Sequence, residues 1–157
     1  MKIDLQFIAA DSDRRKARAA AVIATFAAKL TAVDADPAHT FGWGEDSFKA
    51  SADMRVWAEI ANFLGRCARG EFHVNGPAAA PTIDHSKVAD GVREMRCGDA
   101  VRILRREFEG RIMRAARYPA RSTSICSNLV EQEILRASAE ALEVFDSWLN
   151  ELARNVA

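Results

Sequence analysis

The sequence predicts a mainly α-helical protein that folds as a bundle of four to five helices. Its 157 residues are close to the usual size of one domain. The hydrophobic class makes up 49% of the residues, and 22 basic residues balance 22 acidic ones, a composition typical of a compact chain. Apolar residues also recur at helical spacing in several segments. We therefore expect residues 1–157 to form one helical domain around one core.

The N-terminal segment alternates polar and apolar side chains over residues 2–7, as a half-buried strand does. Ile3 and Phe7 also lie one helical turn apart, so the pattern permits a helix as well. We favour an extended segment over residues 1–10. A short β ribbon between this segment and Phe72–Val74 is an open alternative.

The first helix is expected from residue 13 to residue 33, with its N-cap among Asp11, Ser12 and Asp13. The second helix is expected to start after Ser47 or Ser51 and to end at Gly70, a residue type that favours helix C-termini. Its apolar positions fall on one face: Val56, Trp57, Ile60, Phe63, Leu64 and Cys67. Residues 71–83 are expected to form a flexible loop because they combine Asn-Gly-Pro with three alanines.

The segment from Asp84 to Arg117 carries two apolar stripes that point to nearly opposite sides of a helix. Either Gly98 breaks the segment and Asp99 caps a new helix, or one long helix is buried on both sides. Tyr118-Pro119 should end this element. The last helix is expected to start near Ser127 or Asn128 and to present a broad apolar face.

Arginine is concentrated in residues 93–121, which contain nine arginines and four acids. This pattern is typical of a surface that contacts phosphates. Residues 128–157 contain six acids and two arginines, so pairing between these two segments is the interpretation we favour. A second basic cluster lies in what we expect to be the first turn of a helix, where cations oppose the helix dipole. The candidate phosphate-binding residues are Arg14, Arg15, Arg18, Arg102, Arg105, Arg106, Arg114 and Arg117.

The sequence contains no established catalytic or metal-binding motif. His39, His73 and His85 lack the spacing of metal ligands, and the three cysteines form no C-x-x-C pair. Phe41 and Trp43, in a Gly-aromatic run, are candidate anchors for a protein partner, as is Trp148.

We therefore expect a cytoplasmic, non-enzymatic interaction or regulatory protein that binds another protein or itself, for example as a homodimer, through its apolar helix faces. We expect no cofactor, no metal, no membrane span and no identifiable small-molecule substrate. The first alternative is a nucleic-acid-binding regulator that uses the arginines of residues 93–121. The second alternative is a metal-dependent enzyme that uses the loop histidines.

Overall fold

A computed structural model describes residues 2–33, 43–71, 95–118 and 125–156, and all regular secondary structure in these ranges is α-helical. The four helices are α1 (Leu5–Val33), α2 (Trp43–Ala68), α3 (Cys97–Arg117) and α4 (Ile125–Val156). The prediction of a mainly α fold is confirmed for these residues. Phe72–Val74 and almost all of the predicted loop 71–83 lie outside the described ranges.

Helix α1 starts at Leu5 rather than near residue 13. The Asp4 side chain accepts a hydrogen bond from the Phe7 backbone N–H at 2.9 Å, and the Asp4 carbonyl accepts one from the Ile8 N–H at 3.1 Å, so Asp4 is the N-cap. Ser12, a predicted cap, is buried inside the helix and donates to the Ile8 carbonyl at 2.8 Å. The prediction of an extended segment over residues 1–10 is therefore wrong from Leu5 onward.

The predicted apolar face of α2 is confirmed. Val56, Trp57, Ile60, Leu64 and Cys67 are buried. The second helix begins at Trp43, earlier than either predicted serine. Gly70 follows the helix with a φ of 74°, a left-handed conformation that glycine adopts without the steric penalty of a side chain.

The boundaries of α3 favour a break in the basic segment over one long helix. Met95 and Arg96 are not helical, and Arg96 is the N-cap with φ −88° and ψ 152°. Asp99 therefore lies in the first turn of α3, where its charge complements the helix dipole, instead of capping the helix. Tyr118 forms the C-cap, as the Tyr118-Pro119 pair predicts. Helix α4 starts at Ile125, slightly before the predicted serine.

The helices pack in the order α1, α2, α4, α3, and α1 and α2 share the most extensive contact. Gln6 at the start of α1 donates to the Ala68 carbonyl at the end of α2 at 3.3 Å, so these two helices are antiparallel. Arg96 and Gly98 at the start of α3 line one groove with Leu152 near the end of α4, which makes α3 and α4 antiparallel as well. Small buried side chains permit close approach in α1 and α2: Ala9, Ala19, Ala50, Ala52 and Ala61.

Aromatic side chains fill the centre of the core. Phe108 of α3 meets Phe145 of α4 edge-on, with ring centroids 5.6 Å apart, and Trp57 of α2 meets Trp148 of α4 edge-on at 6.4 Å. Trp148, a predicted anchor for a partner, is only 5% exposed. Its indole is occupied by intramolecular packing and offers no surface to another protein while the helices stay packed.

Candidate functional site

Three arginines tie neighbouring helices together through ion pairs. Arg105 of α3 donates to Asp146 of α4 at 2.6 Å. Arg136 of α4 donates to Asp53 of α2 at 3.0 Å. The third arginine, Arg111 of α3, makes a two-pronged contact with Glu59 of α2.

Of these three pairs, Arg111 of α3 and Glu59 of α2 are the one joined by two hydrogen bonds. One guanidinium nitrogen of Arg111 donates to Glu59 at 2.8 Å, and a second donates to the other carboxylate oxygen. This hydrogen bonding lowers the pKa of Glu59 and raises the pKa of Arg111. Arg111 also lies over the Phe108 ring, 4.8 Å from its centroid, so the pair is stacked on the core.

The predicted pairing between residues 93–121 and the acids of α4 occurs at Arg105 and Asp146 within the described residues. Other acids of α4 pair within their own helix instead, because Arg136 also contacts Glu133 at 2.6 Å and Glu140 at 2.7 Å. The basic segment of α3 is therefore only partly neutralised by α4.

The side of α3 that faces away from the core carries arginines without acidic partners. Arg106, Arg114 and Arg117 are exposed, and none of them makes an ion pair with any residue in the described ranges. At about 100° per residue, Arg106 and Arg117 lie opposite the buried position Leu104, and Arg114 lies about 80° from it, at the edge of this surface. With Arg102, whose one ion pair among the described residues is with its helical neighbour Asp99 at 3.1 Å, they define what we call the outer face of α3.

The outer face of α3 also exposes uncharged side chains. Met113 is 57% exposed and lies between the arginines on the same side of the helix. Tyr118, at the C-cap and one turn beyond Arg114, is 79% exposed. The surface therefore combines guanidinium groups with an accessible thioether and an accessible aromatic ring.

The second predicted basic cluster lies on α1 and is separate from the outer face of α3. Arg14 and Arg15 both bind Asp11, at 3.2 Å and 2.9 Å, and the Arg15 guanidinium lies 4.9 Å from the centroid of the Trp57 ring. Because α1 starts at Leu5, these arginines occupy its third and fourth turns. Their predicted conflict with the helix dipole therefore disappears.

Arg18, the third member of this cluster, borders a groove between α1, α2 and α4 with a volume of about 490 Å³. Lys49 and Asp53 of α2 and Glu140 of α4 also border it. We call it the α1–α2–α4 groove. The sequence does not point to Lys49, Asp53 or Glu140. These residues lie far apart in the chain, and no sequence pattern predicts that they come together.

The remaining predicted site residues lie outside the described part of the chain. Phe41 and the histidines His39, His73 and His85 fall outside the described ranges, and of Trp43 only the backbone, as the first residue of α2, is described. Within the described ranges, no group of three or more His, Cys, Asp or Glu side chains is arranged to hold a metal ion. None of the helical residues described here forms a stretch long and apolar enough to cross a membrane.

No protein-family model, curated protein or solved structure matches this chain.

Proposed function

We propose that this chain is a non-enzymatic binding protein, built as a four-helix bundle, whose outer face of α3 binds the phosphate backbone of nucleic acid. The observation that carries this proposal is the set of exposed arginines at 106, 114 and 117, which have no acidic partner among the described residues. Phosphate contacts from arginine supply most of the affinity of sequence-independent nucleic-acid binding.

Spacing along α3 supports phosphate contacts. With a rise of about 1.5 Å per residue, Arg106 and Arg114 are separated by about 12 Å along the helix axis, and Arg117 lies about 4.5 Å further on. These separations are on the scale of a few nucleotides, since each strand of a duplex carries one phosphate per roughly 3.4 Å of axis. A helix laid along or across a groove edge thus reaches several phosphates at once.

The sequence also predicts a protein partner, and this stays a prediction. Its main support was the breadth of the apolar faces of the second and last helices. In the folded chain those faces pack against each other, with Phe145 fully buried and Trp57 8% exposed. Among the described residues, Arg106, Arg114 and Arg117 have no such intramolecular role, which is why we place nucleic acid first.

The test measures binding of a labelled, random-sequence DNA duplex by fluorescence anisotropy between about 50 and 200 mM NaCl. If four arginines each contact one phosphate, log K should fall against log[salt] with a slope of about −3.6. Replacing Arg106, Arg114 and Arg117 together by alanine should bring the slope to about −0.9. All three side chains are exposed, so the variant should keep its helical circular dichroism.

A matched control removes the same amount of charge elsewhere, through Arg55→Ala, Arg69→Ala and Arg154→Ala. All three residues are exposed: Arg55 lies on α2, Arg69 just beyond its end and Arg154 on α4. This control should bind DNA with the wild-type slope. The proposal is refuted if the wild type does not bind DNA at ~50 mM salt, or if both triple variants weaken binding equally. Binding to polyglutamate but not to DNA would instead assign an acidic protein as the partner.

A second candidate function, self-association, has one observation in its favour. A groove of about 530 Å³ at the junction of α3 and α4 is bordered by Leu149, Leu152 and Val156, and Val156 is 90% exposed. Apolar side chains exposed around a groove are typical of contact sites between proteins. Analytical ultracentrifugation should then detect a dimer that Val156→Asp dissociates, and a monomer at all concentrations would exclude this candidate.

A further inference from the structure

We propose that the α1–α2–α4 groove binds a small amphipathic carboxylate, with its apolar body against Val22 and Phe26 and its carboxylate between Arg18 and Lys49. This site is separate from the outer face of α3. No residue of that face borders the groove. The inference therefore does not depend on the proposed function.

The groove is large enough to hold a small ligand. Ala19 of α1 and Ala50 of α2, which are 7% and 4% exposed, line the groove where these two helices pack closely. Val22 and Phe26 of α1 supply its accessible apolar lining, whereas Trp57 is 8% exposed beneath the Arg15 guanidinium. Its volume of about 490 Å³ lies within the range of about 300 to 1,000 Å³ that is usual for small-molecule sites.

Most charged groups around the groove already have partners. Arg15 is held by Asp11 at 2.9 Å. Asp53 and Glu140 are both held by Arg136, at 3.0 Å and 2.7 Å. These contacts fix the two carboxylates on the side of the groove nearest Arg136 and reduce their attraction for a further cation.

The two remaining cations have no such partner. Arg18 of α1 and Lys49 of α2 border the groove from different helices, are exposed, and make no ion pair within the described ranges. A carboxylate placed between them gains charge-assisted hydrogen bonds from both. These two cations and the apolar side chains of Val22 and Phe26 border the same groove, which makes it complementary to a ligand with one anionic head and one apolar body.

The test uses isothermal titration calorimetry of the full chain with dodecanoate, dodecanol and dodecylammonium, each below its micellar concentration. We expect dodecanoate to bind at least tenfold more tightly than dodecanol and dodecylammonium to bind most weakly. Arg18→Ala with Lys49→Ala should remove the preference for dodecanoate. Val22→Trp should weaken both dodecanoate and dodecanol, because Val22 is 45% exposed and a larger side chain there enters the groove without disturbing the core.

A charge-matched control is the pair Arg14→Ala and Arg55→Ala, since neither residue borders the groove. This pair should bind dodecanoate as the wild type does, and so should the triple alanine variant of the outer face of α3.

Three results would overturn the inference. These are equal affinity for dodecanoate and dodecanol, tighter binding of dodecylammonium, and dodecanoate binding that survives loss of Arg18 and Lys49. Binding to phosphatidylglycerol vesicles that depends on the same two residues, without binding of monomeric dodecanoate, would also overturn it in favour of a membrane surface.

Discussion

Replacing Phe108 or Phe145 by alanine should destabilise the fold strongly, because this pair joins α3 to α4. Both rings are fully buried and meet edge-on at 5.6 Å. Removing a buried phenylalanine ring costs about 3 to 5 kcal/mol, through lost burial and the cavity left behind. For a chain of this length, that loss corresponds to a fall in Tm of about 6 to 20 °C.

The double variant tests whether the two rings act as one unit. Because each single variant already loses the shared edge-to-face contact, the double variant should be less destabilised than the sum by about 0.5 to 1.5 kcal/mol. Urea denaturation followed by circular dichroism measures all three free energies of unfolding. Met113→Ala, on the exposed side of the same helix, is the control and should change stability by about 0.5 kcal/mol or less. A loss below about 1 kcal/mol for either phenylalanine, or strict additivity, would refute this account of the core.

Three contacts elsewhere have measurable consequences. Arg111 lowers the pKa of Glu59 below its ordinary value of 4.5, so the pair stabilises the fold above that pH and the stabilisation is lost as the pH falls. Glu59→Gln should therefore reduce the free energy of unfolding by less than about 1 kcal/mol at pH 7, since the Glu59 and Arg111 side chains are both partly exposed. The reduction should be smaller still at pH 3, and an equal reduction at the two pH values would contradict this. Burial raises the pKa of Cys97 to about 11 and that of Cys67 to about 12, so iodoacetamide at pH 8 should alkylate both slowly and Cys67 more slowly. Rapid labelling of Cys67 or Cys97 in the folded chain, followed peptide by peptide in a mass-spectrometric time course, would disprove it. Asp4→Ala should cost about 1 kcal/mol in urea denaturation by removing the α1 cap, whereas Asp4→Ser should cost little; an unchanged midpoint for alanine would count against the cap.

The sequence predicted α2 well and α1 poorly for a physical reason. In α2, large apolar residues such as Ile60 and Leu64 mark the buried face, so helical periodicity identifies it. In α1, two of the most buried positions are Ser12 and Ala19, which hydropathy patterns do not count as core. The buried Ser12 hydroxyl has its hydrogen-bonding need met by donating to the Ile8 carbonyl one turn earlier. Only the folded chain shows this hydrogen bond.

The candidate site was predictable in composition but not in arrangement. The arginine-rich segment is visible in the sequence. The sequence does not show which of its arginines form ion pairs with acidic side chains. Arg111 pairs with Glu59 across 52 residues, and Arg136 pairs with Asp53 across 83 residues. Contacts over such separations depend on how the helices pack, and no local pattern encodes them.

The packing order has a consequence for local opening of the fold. Helix α3 is covered mainly by α4 and has little contact with α2, so it makes less contact with other helices than any other described helix does. Detachment of α3 should therefore require less free energy than opening of the α1–α2 pair. In native-state hydrogen–deuterium exchange, backbone amides near Val101 and Leu104 should exchange before those near Ile60 and Leu64. A ligand that requires α3 to be docked would slow the exchange of α3 first.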